Sequence, residues 1–501
     1  MNIRNLCASV VLLLLGAGCT KNFQDINTNP VLVTREIIQP SMLFTTVVKN
    51  SVFENYTADI FWEYANYFSN EASGSIFANR DWGSPFSDYQ SNIININEVV
   101  RLTAGDPNLV NEHAMARIWR VWLFQQMTDA YGDIPYTQAA QSVDSVNVQP
   151  AYDTQQSIYA DMLKELKEAV ASLSSDGSLA SFGSADILYS GNVDNWIRLG
   201  NSLRLRLAIR VRYADQALAQ QHISDVISQP LIDDNAQNAL LMTIDGTDVN
   251  NVNPLYINYL NTSGYPMWIG FTVTQELLKR NDPRLSIFAN PANIPAAGYR
   301  GRPMTLFSDQ KPRYSLDSTA TLAMAFINPA VPIIVMNAAE VYFLRAEASL
   351  AGLSSEDMEQ MYRSGIESSL DQYHVSTAGV NAYMGSSAAT LSGGLPEEDL
   401  ENIIVQKYLA IFNEGREAWA EFRRTGYPKI WTGGDLGATN GNIPRRLTYP
   451  KAEYNLNHAN VSEAVSRLSG GDLMTSRIWW DAKPQLPFYQ AKQGSFPPEI
   501  Y

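Results

Sequence analysis

Both cysteines of this 501-residue chain, Cys7 and Cys19, lie at its amino-terminal end. The long remainder contains no thiol, so it can form neither a disulfide framework nor a cysteine-ligated metal site. Its fold must therefore be stabilised by packing alone. Length and composition allow this, because 45% of the residues are hydrophobic and a chain of this size can bury a large core.

The residues up to Cys19 have the layout of a bacterial lipoprotein signal. Arg4 provides a charged start, residues 10–15 form a short apolar run, and small residues lead to Cys19. We therefore predict a signal peptide over residues 1–18 and lipidation of the Cys19 sulfur. The polar, asparagine-rich stretch that follows predicts a lipidated tether over residues 19–40. An ordinary secretory signal with an incidental cysteine is the alternative.

The charge balance excludes some partners. With 51 acidic and 36 basic residues, the chain has a net charge of −15 and a pI near 4.8. Nucleic-acid binding needs a basic surface, so we expect no nucleic-acid partner. No segment after the leader approaches the ~18 continuous apolar residues that a membrane-spanning helix needs. We therefore expect a soluble body that a lipid anchor holds at the membrane.

Apolar residues recur at three- and four-residue steps over much of the chain, which is the pattern of amphipathic helices. One clear example covers residues 111–131 and is ended by Gly132. Similar patterns fill two stretches at about 41–230 and 336–425. They predict a mainly α fold whose core is a tetratricopeptide-like helical repeat, an α–α superhelix. Residues 231–335 between these halves are rich in Asn, Asp, Pro, Gly and aromatic residues, and we expect a loop-rich lobe there.

Short polar residues mark where several helices should begin. Asp153 or Thr154 can cap one helix, and Asp194 or Asn195 should start the next long one. The run SSED at 354–357 resembles a capping box. These signals predict helix boundaries that a structure can test directly.

The sequence contains no catalytic motif. The four histidines, at positions 113, 222, 374 and 458, are scattered, and no zinc-binding HExxH motif occurs. A P-loop, a nucleophile elbow and a dinucleotide fingerprint are also absent from the sequence. Nothing among the 51 acidic residues singles out a glycosidase pair, so a glycosidase is only an alternative. We therefore predict that the protein is not an enzyme.

One acidic loop is a weak candidate for calcium binding. Asp245 and Asp248, followed by Asn250 and Asn251, can offer oxygen ligands to Ca²⁺. The spacing of an EF-hand is absent, so a turn-rich loop is the more common explanation of this composition. We expect no other metal and no organic cofactor.

Five aromatic residues in polar loops are the candidate ligand-binding residues. They are Trp82, Tyr89, Tyr265, Trp268 and Tyr299. A sugar ring has an apolar face on which Trp or Tyr can stack, and hydroxyl edges that polar neighbours can bond. Loop aromatics beside Asp, Asn and Arg therefore indicate a glycan site. The alternative is that they pack the loops onto the helical core, as most Trp and Tyr residues do.

Several motifs together resemble the SusD/RagB family of nutrient-binding lipoproteins. In chain order they are TDAYGDIPY (128–136), DILYSGNVDNW with NSLRLR (186–206), EVYFLRAEA (340–348), QKY with EAW and RRTGYP (406–428), and RIWWD (477–481). Asn192 stands where the family more often has Asp. Each motif is weak by itself, but their order behind a lipoprotein signal is specific.

The charged residues of these motifs have a structural interpretation. Glu340 and Glu347 lie seven residues apart and therefore on one face of a helix. Because buried charges must be matched, we expect arginines of other motifs to pair with them and join the helices. The candidate partners are Arg204, Arg206, Arg423 and Arg424. On this interpretation the motifs identify the fold without locating the ligand.

The resemblance implies an outer-membrane lipoprotein of the Bacteroidetes type, exposed at the cell surface, with a nutrient-binding domain over residues 41–501. Such proteins have four tetratricopeptide-like helix pairs and a loop-rich lobe. They act as a hinged lid on a SusC-like TonB-dependent transporter and deliver glycans, peptides or other nutrients to it. For this chain the resemblance and the loop aromatics together favour an oligosaccharide ligand.

Two alternatives to a sugar-binding surface protein stay open. The same scaffold can bind a peptide or another non-sugar nutrient. The protein can also be a periplasm-facing helical-repeat adaptor that binds only protein partners. The acidic export tag that often follows the lipidated cysteine is poorly represented in residues 20–25, which keeps both orientations open.

Overall fold

The computed structural model describes residues 39–57, 59–69, 86–140, 147–246, 248–262, 264, 267–431, 437–439 and 441–486. The predicted signal peptide (1–18), Cys19 and nearly all of the predicted tether lie outside these residues. Among the described helices, none combines the length and the hydrophobicity that crossing a bilayer requires.

Helices dominate the described residues. The amino-terminal helices are α1 (Pro40–Thr57), α2 (Asp59–Tyr64), α3 (Ile94–Thr103), α4 (Val110–Tyr131), α5 (Gln155–Ser172), α6 (Val193–Val211) and α7 (Gln216–Val226). The middle helices are α8 (Pro254–Asn261), α9 (Phe271–Lys279) and α10 (Leu285–Phe288). The carboxy-terminal helices are α11 (Ala338–Leu350), α12 (Met358–Gln372), α13 (Thr377–Met384), α14 (Pro396–Ala410), α15 (Gly415–Thr425), α16 (Lys451–Leu456) and α17 (His458–Ser466). The strands are β1 (Phe68–Ser69), β2 (Ile134–Pro135), β3 (Tyr152–Asp153), β4 (Ala239–Leu241), β5 (Trp268–Ile269), β6 (Ala289–Asn290), β7 (Thr321–Leu322) and β8 (Ile333–Met336).

The long helices form a stack in which each helix packs on its neighbours in the sequence. α3 packs between α1 and α4, α5 packs between α4 and α6, and α7 packs on α6. α11 then packs on α6 and pairs with α12, and α14 contacts both of them. The predicted mainly α, tetratricopeptide-like superhelix is therefore confirmed, because helix pairs that stack in chain order bury one continuous core.

Two helix boundaries lie where the sequence predicts them. Helix α4 covers Val110–Tyr131, and Gly132 ends it with a φ of +89°, which glycine tolerates and other residues avoid. Helix α5 is capped by Thr154, whose hydroxyl accepts a hydrogen bond from the backbone N–H of Ser157. Local chemistry is enough to set these two ends.

Two other boundaries are displaced by a few residues. The cap of α6 is Asn192, which accepts a hydrogen bond from the backbone N–H of Asn195, and Asp194 falls within the first turn. The cap of α12 is Asp357, so the run 354–357 ends in the cap instead of beginning with it. Where several short polar residues are adjacent, the direction in which the chain enters the helix decides which of them caps it.

The middle of the chain folds into short strands and helices around its loops. β1, β5, β7 and β6 form an antiparallel four-stranded sheet in that order. β4 pairs separately with β8, and β2 with β3. Because β1 comes from the amino-terminal half, the larger sheet ties residues 231–335 to the helical stack. One hydrophobic core extends from this sheet through both helical halves.

Buried ion pairs join α6 to α11 and α15. Arg206 donates two hydrogen bonds to Glu340, at 2.8 and 2.5 Å. One turn further along α6, Arg210 pairs with Glu417 and with Glu421, the latter at 2.6 Å. All five side chains are at most 4% exposed. Opposite charges at this depth are tolerated only as matched pairs, so the pairs specify how the three helices meet.

A second buried cluster joins α11 to the carboxy-terminal end of α15. Arg424 donates to Glu347 at 2.5 and 2.7 Å, and Arg212 donates to the same carboxylate at 2.6 Å. Burial by itself would raise the pKa of Glu347, but the charges of the two arginines hold the pKa at about 2. The carboxylate therefore stays ionised inside the core.

The predicted pairing of the motif charges is confirmed for two of the four arginines. Arg206 and Arg424 are the partners of the two motif glutamates. Arg204 pairs instead with Asp225, at 3.0 Å. Arg423 donates to backbone carbonyl oxygens and lies over tryptophan rings. Because the four arginines are alternative partners, the prediction holds for both glutamates, and Arg204 and Arg423 lie on other faces of their helices and meet other neighbours.

Candidate functional site

The strand pair β1–β5 holds Trp268, one of the predicted aromatic residues. Ser69 at the end of β1 pairs with Trp268 at the start of β5. Residues 70–85, which include Trp82, follow Ser69 directly, and Tyr265 precedes Trp268 by three positions. Residues 70–85 also lead directly into Phe86, whose ring packs against those of Tyr89 and Tyr131. Trp82 and Tyr265 themselves lie outside the described residues.

Trp268 forms a stack with an arginine at this end of the sheet. Its side chain is 5% exposed, and the guanidinium carbon of Arg302 lies 4.1 Å from the ring centre. Arg302 also places Nη1 3.5 Å from Oγ of Ser69. A guanidinium over an indole face is a favourable cation–π arrangement. We call Ser69, Trp268, Tyr299 and Arg302 the sheet-end site.

A close approach of two backbones holds this stack together. Gly270, just after β5, bridges to Arg302, which donates to Ile269 and accepts from Phe271 at 2.9 and 2.8 Å. A Cβ atom at Gly270 would lie 1.8 Å from the backbone oxygen of Asn66. Only glycine fits at this position, so the stack depends on it.

Tyr299 lies in the same cluster of loops as Trp268. Its side chain is half-buried and packs against the hydrophobic core. The next residue, Arg300, accepts a hydrogen bond at 2.8 Å from the N–H of Ala320, whose carbonyl oxygen accepts from Ile269 at 3.2 Å. Backbone hydrogen bonds through Ala320 therefore connect the chain segments of two of the five predicted aromatic residues.

Trp431 packs beside α9, close to the end of β5. It is 2% exposed, and its ring centre lies 5.7 Å from that of Phe271, the first residue of α9 after β5. Residues 432–436, which follow it directly, lie outside the described residues. The glycine-rich stretch after this tryptophan is the sequence signal that indicates a loop here.

Tyr89 lies in a different part of the molecule. It begins the π-helical turn Tyr89–Ile93, and its hydroxyl donates to the carbonyl oxygen of Pro135 at 2.6 Å. Its ring centre lies 5.0 Å from that of Phe86 and 6.4 Å from that of Phe124. Burial raises the pKa of the Tyr89 hydroxyl well above its usual value. These contacts are those of an aromatic residue that packs a loop onto helices, and they separate Tyr89 from the sheet-end site.

The acidic loop proposed for calcium forms a local turn. Both Asp245 and Asp248 are exposed. The carboxylate of Asp248 accepts from the backbone N–H of Asn250 at 3.0 Å and from the side chain of Asn251 at 2.6 Å. Throughout the described part of the chain, no group of three or more His, Cys, Asp or Glu side chains is arranged to hold a metal ion.

The two helical histidines have ordinary packing contacts. His222 is buried and accepts a hydrogen bond from Nε of Arg204 at 2.9 Å. Burial and the Arg204 charge lower the pKa of His222 to about 4, so it is neutral near pH 7. The ring of His113 contacts the hydroxyl of Thr103 at 3.1 Å. Neither histidine lies at the sheet-end site.

The sheet-end site offers groups that suit a ring with polar substituents. The half-buried Tyr299 provides apolar surface, whereas the indole of Trp268 is 5% exposed and lies against the guanidinium group of Arg302. The hydroxyl of Ser69 is oriented by its hydrogen bond to the carbonyl oxygen of Pro303, at 2.7 Å.

Comparison with known proteins gives a consistent result. A family model described as "SusD-like_2: Starch-binding associating with outer membrane" matches residues 32–450. No curated protein matches the chain. Among solved structures, a chitin-binding protein has a TM-score of 0.78 at 25% identity, covering 89% of this chain and 100% of that chain.

Two further solved structures have the same architecture. A SusD homolog from Bacteroides uniformis has a TM-score of 0.76 at 27% identity, covering 89% of this chain and 100% of that chain. A chitin-binding SusD homolog from Flavobacterium johnsoniae has a TM-score of 0.72 at 26% identity, covering 88% of this chain and 97% of that chain. Because the family model spans most of the sequence and the helical stack recurs in these structures, the chain belongs to the SusD-like family.

Proposed function

We propose that this protein is an outer-membrane lipoprotein that binds oligosaccharides and delivers them to a SusC-like TonB-dependent transporter. The observation that carries the proposal is the match of residues 32–450 to a family described as starch-binding and associating with the outer membrane. Two of the similar structures are described as chitin-binding. Starch and chitin are both chains of pyranose rings, so a glycan is the ligand class that they share.

The sheet-end site is where we propose that the glycan binds. Tyr299 and the Trp268–Arg302 stack define this site, and we propose that Trp82 and Tyr265 contribute to it. Its four defining residues include no carboxylate, whereas a glycosidase needs two carboxylates roughly 5–9.5 Å apart. This composition favours binding over hydrolysis.

The anchor of the proposed lipoprotein is Cys19. One acyl chain binds a membrane only marginally, so stable retention requires that Cys19 carry more than one. With the lipid in the outer membrane, residues 19–40 would link it to the folded body. We propose that this body faces the outside of the cell, where polysaccharide fragments are available.

Calorimetric titration of the purified protein with chito- and malto-oligosaccharides tests the glycan site. We expect Trp82→Ala to weaken binding about tenfold, because a stacking aromatic anchor contributes more than about 1 kcal/mol. Trp479→Ala is the matched control, since Trp479 is half-buried against Tyr159, with ring centres 6.0 Å apart. This control should leave the affinity unchanged.

Other outcomes of the titration would contradict the proposal. A protein that binds peptides and no sugar would establish the non-sugar alternative. Equal losses in Trp82→Ala and Trp479→Ala would remove Trp82 from the site. Recovery of the protein on the periplasmic face, without a TonB-dependent barrel after gentle solubilisation, would favour the adaptor.

A further inference from the structure

A separate cavity of about 480 Å³ lies between the helical core and the middle of the chain. It shares no lining residue with the sheet-end site. The exposed residues Ala325, Asp371 and His374 lie at its mouth, and the buried residues Asn413 and Glu414 lie at its floor. Its volume is within the range of small-molecule sites, which is about 300–1,000 Å³.

The floor of the cavity carries an acidic side chain that has no bonding partner in the described part of the protein. Glu414 is 7% exposed and stands at the N-cap position of α15, yet its side chain makes no capping hydrogen bond. None of the described residues forms a hydrogen bond or an ion pair with its carboxyl group. A buried carboxyl group without a partner is unusual and costs stability.

A second unsatisfied acceptor lies beside this carboxyl group. Oδ1 of Asn413 is buried and accepts no hydrogen bond from the described residues. The backbone of Asn413 has a φ of +81°, a left-handed conformation that is unfavourable for a residue other than glycine. Strain and unpaired acceptors at the same place indicate a site that is completed by a ligand.

Aromatic rings form much of the cavity wall. The ring centre of Phe326 lies 5.3 Å from that of Phe412 and 6.3 Å from that of Tyr373. The other apolar lining residues are Leu240, Ile287, Ala325, Val331, Pro332 and Ile334. The lining contains two acidic residues, Asp371 and Glu414, and neither lysine nor arginine. Aromatic faces and acidic groups both attract cations.

The charge state of Glu414 agrees with this character. Burial raises the pKa of Glu414 well above its usual value, Arg206 opposes the shift, and Glu340 and Glu417 add to it. A carboxyl group held neutral by burial ionises when an opposite charge arrives next to it. A ligand with a positive charge would therefore gain an ion pair inside a low-dielectric cavity.

We propose that this cavity binds a small organic ammonium ion with an apolar body. The ammonium group donates a hydrogen bond to the Glu414 carboxylate at the floor. The apolar body lies among the rings of Phe326, Tyr373 and Phe412. An anionic ligand would instead meet acidic groups at both the mouth and the floor.

Titration with phenethylammonium and with its neutral counterpart 2-phenylethanol tests this proposal on the full-length protein. We expect the amine to bind at least about tenfold more tightly, because its hydrogen bond to the Glu414 carboxylate joins opposite charges. Glu414→Gln should remove this preference and leave binding of the alcohol. Glu398→Gln, which removes one exposed acid outside the cavity, is the matched control and should keep it.

Two results would overturn the ammonium site. The first is equal affinity of the wild-type protein for the amine and the alcohol, a measurement that needs no variant. The second is a folded Glu414→Gln protein that still binds the amine more tightly than the alcohol. Phe326→Ala should weaken both probes, since it removes a wall. Oligosaccharide binding at the sheet-end site is measured separately, so failure of one site leaves the other interpretable.

Discussion

Glu347 illustrates how this protein accommodates a charge in its core. Arg424 and Arg212 reach the carboxylate from the end of α15 and the end of α6, respectively. The glutamate belongs to a motif of the sequence, but its two partners lie far from it along the chain. A buried carboxylate flanked in this way is stabilised in its ionised form. The stability of the protein therefore depends on pH.

Acid should destabilise the protein through this carboxylate. Its pKa of about 2 in the folded state lies below its ordinary value of 4.5, so the unfolded state takes up the proton first. Its contribution to stability is fully present above pH 4.5 and is lost as the pH falls towards 2. Urea denaturation at pH 7, 4.5 and 3 should show the free energy of unfolding decreasing between the last two.

Two variants identify the source of this effect. Glu347→Gln should be less stable at pH 7 and should lose less of its remaining stability on acidification. Glu463→Gln changes an acid that is 72% exposed and should follow the wild-type pH dependence. If both variants show the wild-type slope, Glu347 does not control acid stability.

Single residues also show the limit of prediction at the proposed glycan site. Trp268 and Tyr299 both lie in polar loops, and backbone hydrogen bonds through Ala320 connect their neighbours Ile269 and Arg300. The guanidinium group of Arg302 covers the Trp268 ring. This contact depends on the backbone bridge between Arg302 and Gly270. Tyr89 met the same sequence criterion and packs on α4 instead. The composition of a loop therefore selects candidates without telling which ring faces are covered.

At the scale of elements, helix ends are governed by local hydrogen bonds. Asn192, Asn337 and Asp357 each accept a hydrogen bond from the backbone N–H three residues further on. These caps satisfy donors that the helix itself leaves unpaired. Asn192 also stands at a position where the resemblance leads us to expect Asp. Both side chains can cap a helix, so the departure preserves the physical role.

Substitution of this cap should have a small and measurable effect. Asn192→Ala should lower the free energy of unfolding by about 1 kcal/mol, the usual cost of a lost N-cap. Asn192→Asp should retain the stability or increase it slightly, because a negative charge also favours the helix N-terminus. Urea denaturation of the three proteins measures the difference.

Asn195→Ala is the matched control for this cap. Only the backbone N–H of Asn195 takes part in the hydrogen bond, so the change should leave stability nearly unaltered. A loss in Asn195→Ala equal to that in Asn192→Ala would show that the measured cost is not due to the cap.

At the scale of the whole molecule, the carboxy-terminal helices complete the core of the amino-terminal ones. Glu417 and Glu421 of α15 neutralise Arg210 of α6, and Trp419 of the same helix is 1% exposed. Lys407 of α14 pairs with Glu417 at 2.9 Å. The helical repeat therefore cannot be divided at α15 without leaving buried charges unmatched.

Truncation tests this interdependence. A chain that ends at residue 410 lacks α15. The charges of Arg210 and Lys407 would then be exposed to solvent or stay buried without their partners. Removing one side of a buried pair costs about 3–5 kcal/mol, and two such losses approach the whole stability of an ordinary domain. We expect the truncated chain to show no cooperative thermal transition by circular dichroism. A transition equal to that of the full chain would show that the amino-terminal helices fold by themselves.

The sequence by itself determined the helical class, the order of the main helices and the membership indicated by the motifs. These follow from periodicity and capping, which act between residues a few positions apart. Only the tertiary structure decided which arginine meets which glutamate, which loop aromatics share the end of the sheet, and that Glu414 lies unpartnered at the floor of a cavity. Each of these contacts depends on residues that are distant in the chain. Local sequence patterns do not indicate which distant surfaces will pack together.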